Sequence, residues 1–239
     1  MCIRDRLSPD ALIGYRKRPD TIFYAGYHEL AYLHPCYFNP DSRILDELSL
    51  TSNSRYFVLR FNAFRAYHDI GQRGLNLKQK LQLIDTLKVH GRVFITTEGE
   101  IEPELEKYRL KVSPEKIHHL LYYATMFIGD SQTMTSEAAI LGTPAFKCNS
   151  FAHRLAVYNE LEYRYKLCFA FQPYEFDKML KHIELWLAQP DLKYQWQKKR
   201  QNLLKDKINV TKFWIWLVEN YPHSIHIMRK NSKYQLRFK

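Results

Sequence analysis

The stretch from Phe127 to Lys147, FIGDSQTMTSEAAILGTPAFK, decides the fold. An apolar run ends at Ile128, polar residues interrupt it, and a small-residue run from Met134 to Leu141 is closed by Gly142. Another apolar segment then leads into the lysine. This order predicts a strand, a loop, a short helix and a second strand, a βαβ unit whose loop lies at the carboxyl ends of the strands. Ligands of open α/β sheets bind at that edge, because helix amino termini point unpaired N–H groups there.

The loop of this unit is rich in hydroxyl groups. Ser131, Thr133 and Thr135 place hydroxyls and unpaired backbone donors within one helical turn, with no basic side chain among them. Such a loop suits an anionic group held by the helix dipole. Glu137 follows about one turn later, where its carboxylate can accept the paired hydroxyls of a ribose. The same pattern is typical of a helix cap, with Ser or Thr before the helix and Glu three or four residues later. Local residues leave both interpretations open.

Strand and helix patterns alternate on both sides of this unit. Residues 56–61 are apolar almost throughout, the pattern of a strand buried on both faces, and residues 77–90 have the period of an amphipathic helix. Residues 222–239 are basic and weakly patterned, and we assign them no structure. The alternation predicts an α/β fold with a Rossmann-like parallel sheet flanked by helices. Further strands are predicted at 21–25, 92–97 and 167–171, and further helices at 42–48, 113–124 with Ser113 as its cap, 154–162, 173–188, 191–205 and 211–221.

The composition favours an acidic partner. The 239 residues carry 36 Lys and Arg against 25 Asp and Glu, a formal net charge of +11 at pH 7. Basic runs at 193–207 and 229–239 support an alternative, a basic module for nucleic acid or anionic membrane, but no nucleic-acid motif accompanies them. The 4 cysteines lack metal-binding spacing, so we expect reduced thiols and no metal site. No apolar run approaches the ~20 residues of a spanning helix.

Several stretches, in chain order, resemble one family. GDSQTMTSEAAILGTPA resembles the nucleotide-binding segment of the UDP-N-acetylglucosamine 2-epimerase and GT-B glycosyltransferase superfamily. The chain is similar to an uncharacterised prokaryotic family of that superfamily, found among surface-polysaccharide proteins. That likeness extends over about residues 24–222. It rests on YAGYHELAYLHP, YFVLRFNAFRAYHDIGQ, KIHHLLYYATMFIGDSQTMTSEAAILGTPA and NVTKFWIWLVENYP.

The resemblance implies a GT-B-like architecture, in which two Rossmann-type domains face each other across a cleft. This chain would supply the carboxyl-terminal, nucleotide-sugar half, with extra carboxyl-terminal helices, and the amino-terminal domain would be missing. Residues 1–6 resemble a translated adapter and are set aside as a sequence scar. We divide the remainder into a connector with a first strand (7–53), a Rossmann-like nucleotide-sugar-binding domain (54–172), carboxyl-terminal helices packing on it (173–222) and a basic tail (223–239).

The resemblance also implies a nucleotide-binding segment. The epimerase pattern is Asp-Ser-Gly-Gly followed by a Glu on the ribose, and Asp130, Ser131 and Glu137 match it. Gln132 and Thr133 stand in place of the two glycines, which leaves the pose of the phosphates open because backbone approaches a diphosphate most easily at glycine. We expect the nucleotide to contact Ser131, Gln132, Thr133, Met134 and Glu137.

Two further groups of residues follow from the same resemblance. Arg60 to His68 corresponds to a His-Arg-rich loop of the epimerases that approaches the phosphates and the sugar. We therefore expect Arg60 and His68 to contact phosphate or substrate, with Arg65 as the substitute. Thr97 and Glu98 would line the side of the base. A surface ion pair for Arg60, simple solvation for His68 and ordinary strand-end polarity for Thr97 and Glu98 are the structural alternatives.

The implied function is the binding of a nucleotide-sugar, UDP-linked and without another cofactor, in a glycosyltransferase-like protein of surface-polysaccharide synthesis. The chain would not be catalytic alone, because the acidic residues that act on the sugar lie mostly in the other domain, and we assign no catalytic residue. Half of a 2-epimerase-like enzyme and a non-catalytic scaffold remain as alternatives. We expect a cytoplasmic protein, with peripheral contact at the inner membrane face and no nucleic-acid partner. Neither His118 and His119 nor Trp214 and Trp216 are assigned any chemistry.

Overall fold

Two parallel sheets organise the computed structural model, which describes residues 7–14, 20–61, 74–97, 100–150, 152–153 and 156–239. The smaller sheet is two-stranded and pairs β1 (Leu7–Pro9) with β2 (Ile22–Tyr24). The larger one is five-stranded, in the order β4-β3-β5-β6-β7. Its strands are β3 (Tyr56–Arg60), β4 (Arg92–Thr96), β5 (Met126–Gly129), β6 (Ala145–Cys148) and β7 (Cys168–Phe171).

The strand order of the larger sheet creates a switch point. The chain runs from β3 outward to β4 and then returns across β3 to β5, so the connections leave β3 and β5 in opposite directions. In doubly wound sheets the crevice outside the carboxyl ends of two such strands is the usual ligand site. Here that crevice lies between Arg60, at the end of β3, and the loop that follows Gly129, at the end of β5. The predicted α/β fold with a Rossmann-like parallel sheet is confirmed.

Helices cover both faces of this sheet. On one face Tyr56 of β3 donates through its hydroxyl to the Leu120 carbonyl, 2.6 Å away. On the other face the rings of Phe146 in β6 and Phe169 in β7 are in tilted contact, and Phe169 meets the helix residue His182 edge-on. The helices are α1 (Leu30–Leu33), α2 (Arg43–Glu47), α3 (Leu77–Lys88), α4 (Ile117–Tyr123), α5 (Gln132–Leu141), α6 (Ala156–Asn159), α7 (Phe176–Leu187), α8 (Leu192–Asp206), α9 (Val210–Glu219) and α10 (His223–Lys230).

Two local predictions differ from the structure. Ser113 does not cap a helix through its side chain, because a 3-10 turn, Pro114–Lys116, separates it from α4. Residues 222–239, to which the sequence assigns no structure, form α10 and a 3-10 segment, Ser232–Phe238. Tertiary contacts stabilise this secondary structure. The amide oxygen of Gln235 accepts from the Ala25 N–H at 2.7 Å, and the Phe238 carbonyl accepts from the Asn209 N–H at 2.7 Å.

Helix α5 is held at its carboxyl end by side chains of α8. It ends at Gly142, whose φ of 74° is left-handed and suits glycine. Gln197 donates to the carbonyls of Leu141 and Gly142 at 3.0 and 3.1 Å, and Arg200 donates to that of Ile140 at 2.8 Å. Because these carbonyls have no partner within their own helix, the contacts satisfy groups that would otherwise be buried without hydrogen bonds.

Gly129 permits the close approach of β3 and β5. A Cβ at this position would lie 2.3 Å from the Arg60 carbonyl oxygen, which is backbone and cannot rotate away. We expect Gly129→Ala to lower the free energy of unfolding by about 1–3 kcal/mol, because the strands must shift apart. Urea unfolding measures this change, and an unaltered midpoint would show that the sheet edge accommodates the methyl group.

Candidate functional site

The amino terminus of α5 opens into the crevice at the switch point. Ser131 caps the helix, since its Oγ accepts from the Met134 N–H at 3.4 Å. In the first turn Gln132 is half-buried and Thr133 is exposed, so backbone and side-chain donors of this turn reach the surface. Ser131, which belongs to the predicted anion-binding loop, is therefore also the cap of α5.

Thr135 does not contribute to this donor set. Its hydroxyl donates to the Ser131 carbonyl at 2.6 Å, and the residue is completely buried. Threonine inside a helix commonly makes this backward hydrogen bond, because its Oγ lies close to the preceding turn. The prediction that Thr135 offers its hydroxyl in the loop is wrong.

Glu137 lies further along α5 and takes no part in the cap. Its Oε1 accepts two hydrogen bonds, from the Tyr32 hydroxyl of α1 at 2.8 Å and from Nε2 of His118 in α4 at 3.0 Å. The Glu137 side chain is only 9% exposed, whereas that of His118 is 25% exposed. Sequence analysis assigns His118 no chemistry, whereas in the structure it is a direct partner of the predicted ribose-binding carboxylate.

A second carboxylate lies beside Glu137. Glu29, which precedes α1, accepts from the Ser136 hydroxyl of α5 at 2.5 Å. Burial raises the pKa of Glu29, and the nearby charge of Glu137 adds to that rise. Glu29 thus contacts α5 at Ser136, the residue before Glu137. The two carboxylates differ in environment, since Glu137 has two side-chain donors on one oxygen.

Two basic side chains flank Gly129 on one face of the sheet. The parallel register pairs Arg60 with Gly129 and Gly129 with Lys147, and paired residues of neighbouring strands share a face. Arg60 is 7% exposed and donates through Nη1 to Oγ1 of Thr96 at 3.3 Å. Of the predicted phosphate contacts, Arg60 is therefore at the end of β3 beside the α5 terminus, while Arg65 and His68 lie outside the described residues.

Lys147 was not selected from the sequence as a site residue. It is 1% exposed, its Nζ has no hydrogen-bond partner among the described residues, and Nζ lies 4.1 Å from the centre of the Tyr158 ring. Burial lowers the pKa of Lys147 to about 8. No local sequence pattern predicts that Lys147 is buried, because the full burial of a lysine depends on the helices that pack over its strand.

The remaining predicted residues fall at the same sheet edge or beyond the described chain. Thr97 is half-buried and follows β4, next to β3 in the sheet, whereas Glu98 lies outside the described residues. The structure thus brings Ser131, Gln132, Thr133 and Arg60 to one crevice. Glu137 is about 9 Å further along the helix axis than Ser131, at ~1.5 Å per residue, and points toward α1 and α4.

Comparison with known proteins identifies the fold. No protein-family profile matches the sequence, and no curated protein matches it. Among solved structures, spinosyn forosaminyltransferase SpnP aligns with a TM-score of 0.51 at 13% identity, over 92% of this chain and 55% of that one. A UDP-N-acetylglucosamine 2-epimerase aligns at 0.48 and 12% identity, over 80% and 48% of the two chains. The wall teichoic acid polymerase TagF aligns at 0.46 and 16% identity, over 96% and 58%.

These alignments also show how much of each matched structure the chain covers. It spans about half the length of the structures that it matches. Within the described residues, no helix is both long enough and apolar enough to cross a membrane. At such low identity the likeness concerns the fold alone, a Rossmann-like α/β fold that the chain shares with the forosaminyltransferase SpnP.

Proposed function

We propose that this chain is the UDP-sugar-binding domain of a glycosyltransferase-like protein in surface-polysaccharide synthesis. The observation that carries the proposal is the switch point between β3 and β5, where Arg60 at the end of β3 pairs with Gly129, two residues before the cap of α5. Helix amino termini bind phosphates through unpaired N–H groups and a positive dipole end. A guanidinium group adds a paired set of donors for phosphate oxygens.

The diphosphate of the nucleotide-sugar would lie over residues 131–134, with Met134 contributing its backbone. Glu137 would accept hydrogen bonds from the ribose hydroxyls, and Thr97 would lie toward the base. In the transfer step the oxygen of an acceptor hydroxyl attacks the anomeric carbon while its proton passes to a carboxylate of a second domain. The bond from that carbon to the diphosphate oxygen breaks with its electron pair on the leaving group. The α5 terminus and Arg60 then stabilise the developing negative charge, which is the main catalytic task of this half of the site.

A second domain would supply the acceptor side and the groups that act on the sugar. The chain spans 55% of the length of SpnP, which supports a partner of similar size across the crevice. Excluding water and aligning two substrates needs two walls, so we expect the chain alone to bind nucleotide without efficient transfer. We place the protein in the cytoplasm, with peripheral contact at the inner membrane face where a lipid-linked acceptor would be available.

Thermal unfolding with nucleotide tests the proposal. UDP at about ten times its dissociation constant should stabilise the fold by ~1.4 kcal/mol, which raises Tm by roughly 3–5 °C for a chain of this size. GDP and CMP should give smaller shifts at the same concentration.

Two variants make this measurement specific. Glu137→Gln keeps the shape of the side chain and should abolish most of the UDP shift, because it replaces a charged acceptor of the ribose hydroxyls. Glu104→Gln changes an exposed glutamate of the 3-10 segment Pro103–Tyr108, to which we assign no ligand contact, and should leave the shift intact. A cooperative transition that no nucleotide moves would contradict the proposal.

A further inference from the structure

We infer that Tyr32 and His118 are positioning residues that hold Glu137 by one carboxylate oxygen and leave the other to a ligand hydroxyl. The inference rests on the proposed function, and it adds a recognition step at the same site. Both donors converge on Oε1, at 2.8 Å for the Tyr32 hydroxyl and 3.0 Å for His118 Nε2. Glu137 Oε2 accepts no hydrogen bond from any described residue.

The two donors come from separate elements and contact each other. Tyr32 belongs to α1 and His118 to α4, and their rings lie 5.5 Å apart. The rings of Phe38 and His118 are also in contact, edge-on, with their centres 6.3 Å apart. Such packing restricts the rotamers of both donors, and a carboxylate with two fixed donors on one oxygen has its plane fixed as well.

The protonation states of the donors suit this role. Burial and the adjacent Glu137 carboxylate raise the pKa of the Tyr32 phenol, so its hydroxyl remains a donor at neutral pH. Nε2 of His118 donates in the imidazolium form and in one neutral tautomer. A carboxylate oriented through Oε1 offers Oε2 as a strong acceptor, and its donor in this arrangement is the 2′-hydroxyl of the ribose, the group that 2′-deoxyribose lacks.

This arrangement predicts discrimination between ribose and deoxyribose. A site built to bind a hydroxyl rejects the analogue that lacks it, because a buried acceptor is then left without a partner. The positioning residues matter only for the hydroxyl contact. Losing either donor should therefore weaken the ligand that carries the hydroxyl and spare the ligand that lacks it.

The experiment compares UDP with 2′-deoxy-UDP by isothermal titration calorimetry. The wild-type chain should prefer UDP by roughly 10-fold or more. Tyr32→Phe and His118→Phe each retain an aromatic ring and remove one donor. Each should reduce that preference to about twofold or less by weakening UDP, with the affinity for 2′-deoxy-UDP unchanged within about twofold.

Conservative and neighbouring variants separate positioning from a structural role. His118→Gln returns an N–H near the position of Nε2 and should restore most of the preference for UDP. Tyr37→Phe removes a hydroxyl that donates to Asn209 Oδ1 at 3.0 Å, and His119→Phe removes a ring nitrogen that accepts from the Asp41 N–H at 3.0 Å. Both controls should behave as the wild-type chain does.

Each outcome has a distinct meaning. Equal weakening of both nucleotides in Tyr32→Phe and His118→Phe would overturn the inference, since it marks a purely structural role. Equal binding of UDP and 2′-deoxy-UDP by the wild-type chain would also overturn it, while nucleotide binding itself would stand. Failure of the wild-type chain to bind either nucleotide would overturn the proposed function and the inference with it.

Discussion

Lys207→Met should lower the free energy of unfolding by about 3–5 kcal/mol, because it removes the cation from a buried ionic cluster. The Lys207 side chain is 2% exposed, and Nζ donates to Glu160 Oε1 and Oε2 at 2.9 and 3.0 Å and to Asp10 Oδ1 at 3.1 Å. Tyr27 donates its hydroxyl to the same Glu160 carboxylate at 2.5 Å. Without the lysine, Glu160 would be a buried anion held by the neutral Tyr27 hydroxyl and by one exposed arginine, Arg164. Urea unfolding at pH 7 measures the loss.

Two variants identify the cause of that loss. Arg164→Met removes the other cation that pairs with Glu160. The Arg164 side chain is 56% exposed, so this variant should lower the free energy of unfolding by less than about 1 kcal/mol. Adding Glu160→Gln to Lys207→Met removes the uncompensated charge and should recover part of the stability. If Lys207→Met and Arg164→Met are equally stable, burial of the cluster does not determine its contribution.

Lys147→Met should raise the free energy of unfolding at pH 7 by about 3 kcal/mol. The pKa of Lys147 is about 8 in the folded chain, against 10.5 for an exposed lysine, and each unit corresponds to about 1.36 kcal/mol. At pH 7 the ammonium is charged in both states, so the folded state carries the full cost of its burial. Methionine has a similar length and carries no charge.

The sign of the pH dependence follows from the lowered pKa. As pH rises through 8 toward 10.5, the folded chain loses the proton before the unfolded chain does, and the wild-type protein gains stability relative to the variant. The difference between the two proteins should therefore shrink toward zero near the upper end of that range. Urea unfolding of both proteins at pH 7 and pH 10 measures it.

An exposed lysine serves as the control. Lys178, whose side chain is 64% exposed, pairs with Glu175 at 3.3 Å, and Lys178→Met should change stability by less than about 1 kcal/mol at either pH. A loss of stability in Lys147→Met at pH 7 would mean that attraction between the ammonium and the Tyr158 ring outweighs desolvation.

The sequence predicts the elements whose signals are local. Residues of β3 are buried without exception, and α3 begins at Leu77, after a capping box that joins Asn76 and Gln79. The βαβ unit around α5 follows from an apolar run, a loop and a small-residue helix closed by glycine. In each case the hydrophobic pattern and the backbone preferences of a few neighbouring residues favour the same structure.

The contacts of the site depend on residues far apart in the chain. Tyr32 and Glu137 are 105 positions apart, and His118 and Glu137 are 19 apart, so no short pattern pairs them. The secondary structure of residues 223–239 likewise depends on contacts with Ala25 and Asn209. A histidine on a helix and a tyrosine in a connector have many possible environments, and only the packing of α1 and α4 against α5 selects this one.

The hydrogen bonds from α8 hold α5 at its carboxyl end, whereas the proposed phosphate contacts lie at its amino end. Gln197 and Arg200 hold the last carbonyls of the helix at the end opposite to Ser131. The conformational entropy of α5 is therefore lost when the chain folds and not when a ligand arrives. A nucleotide would meet donors that are already aligned, so its binding free energy would reflect its own contacts, with little deducted for ordering the helix.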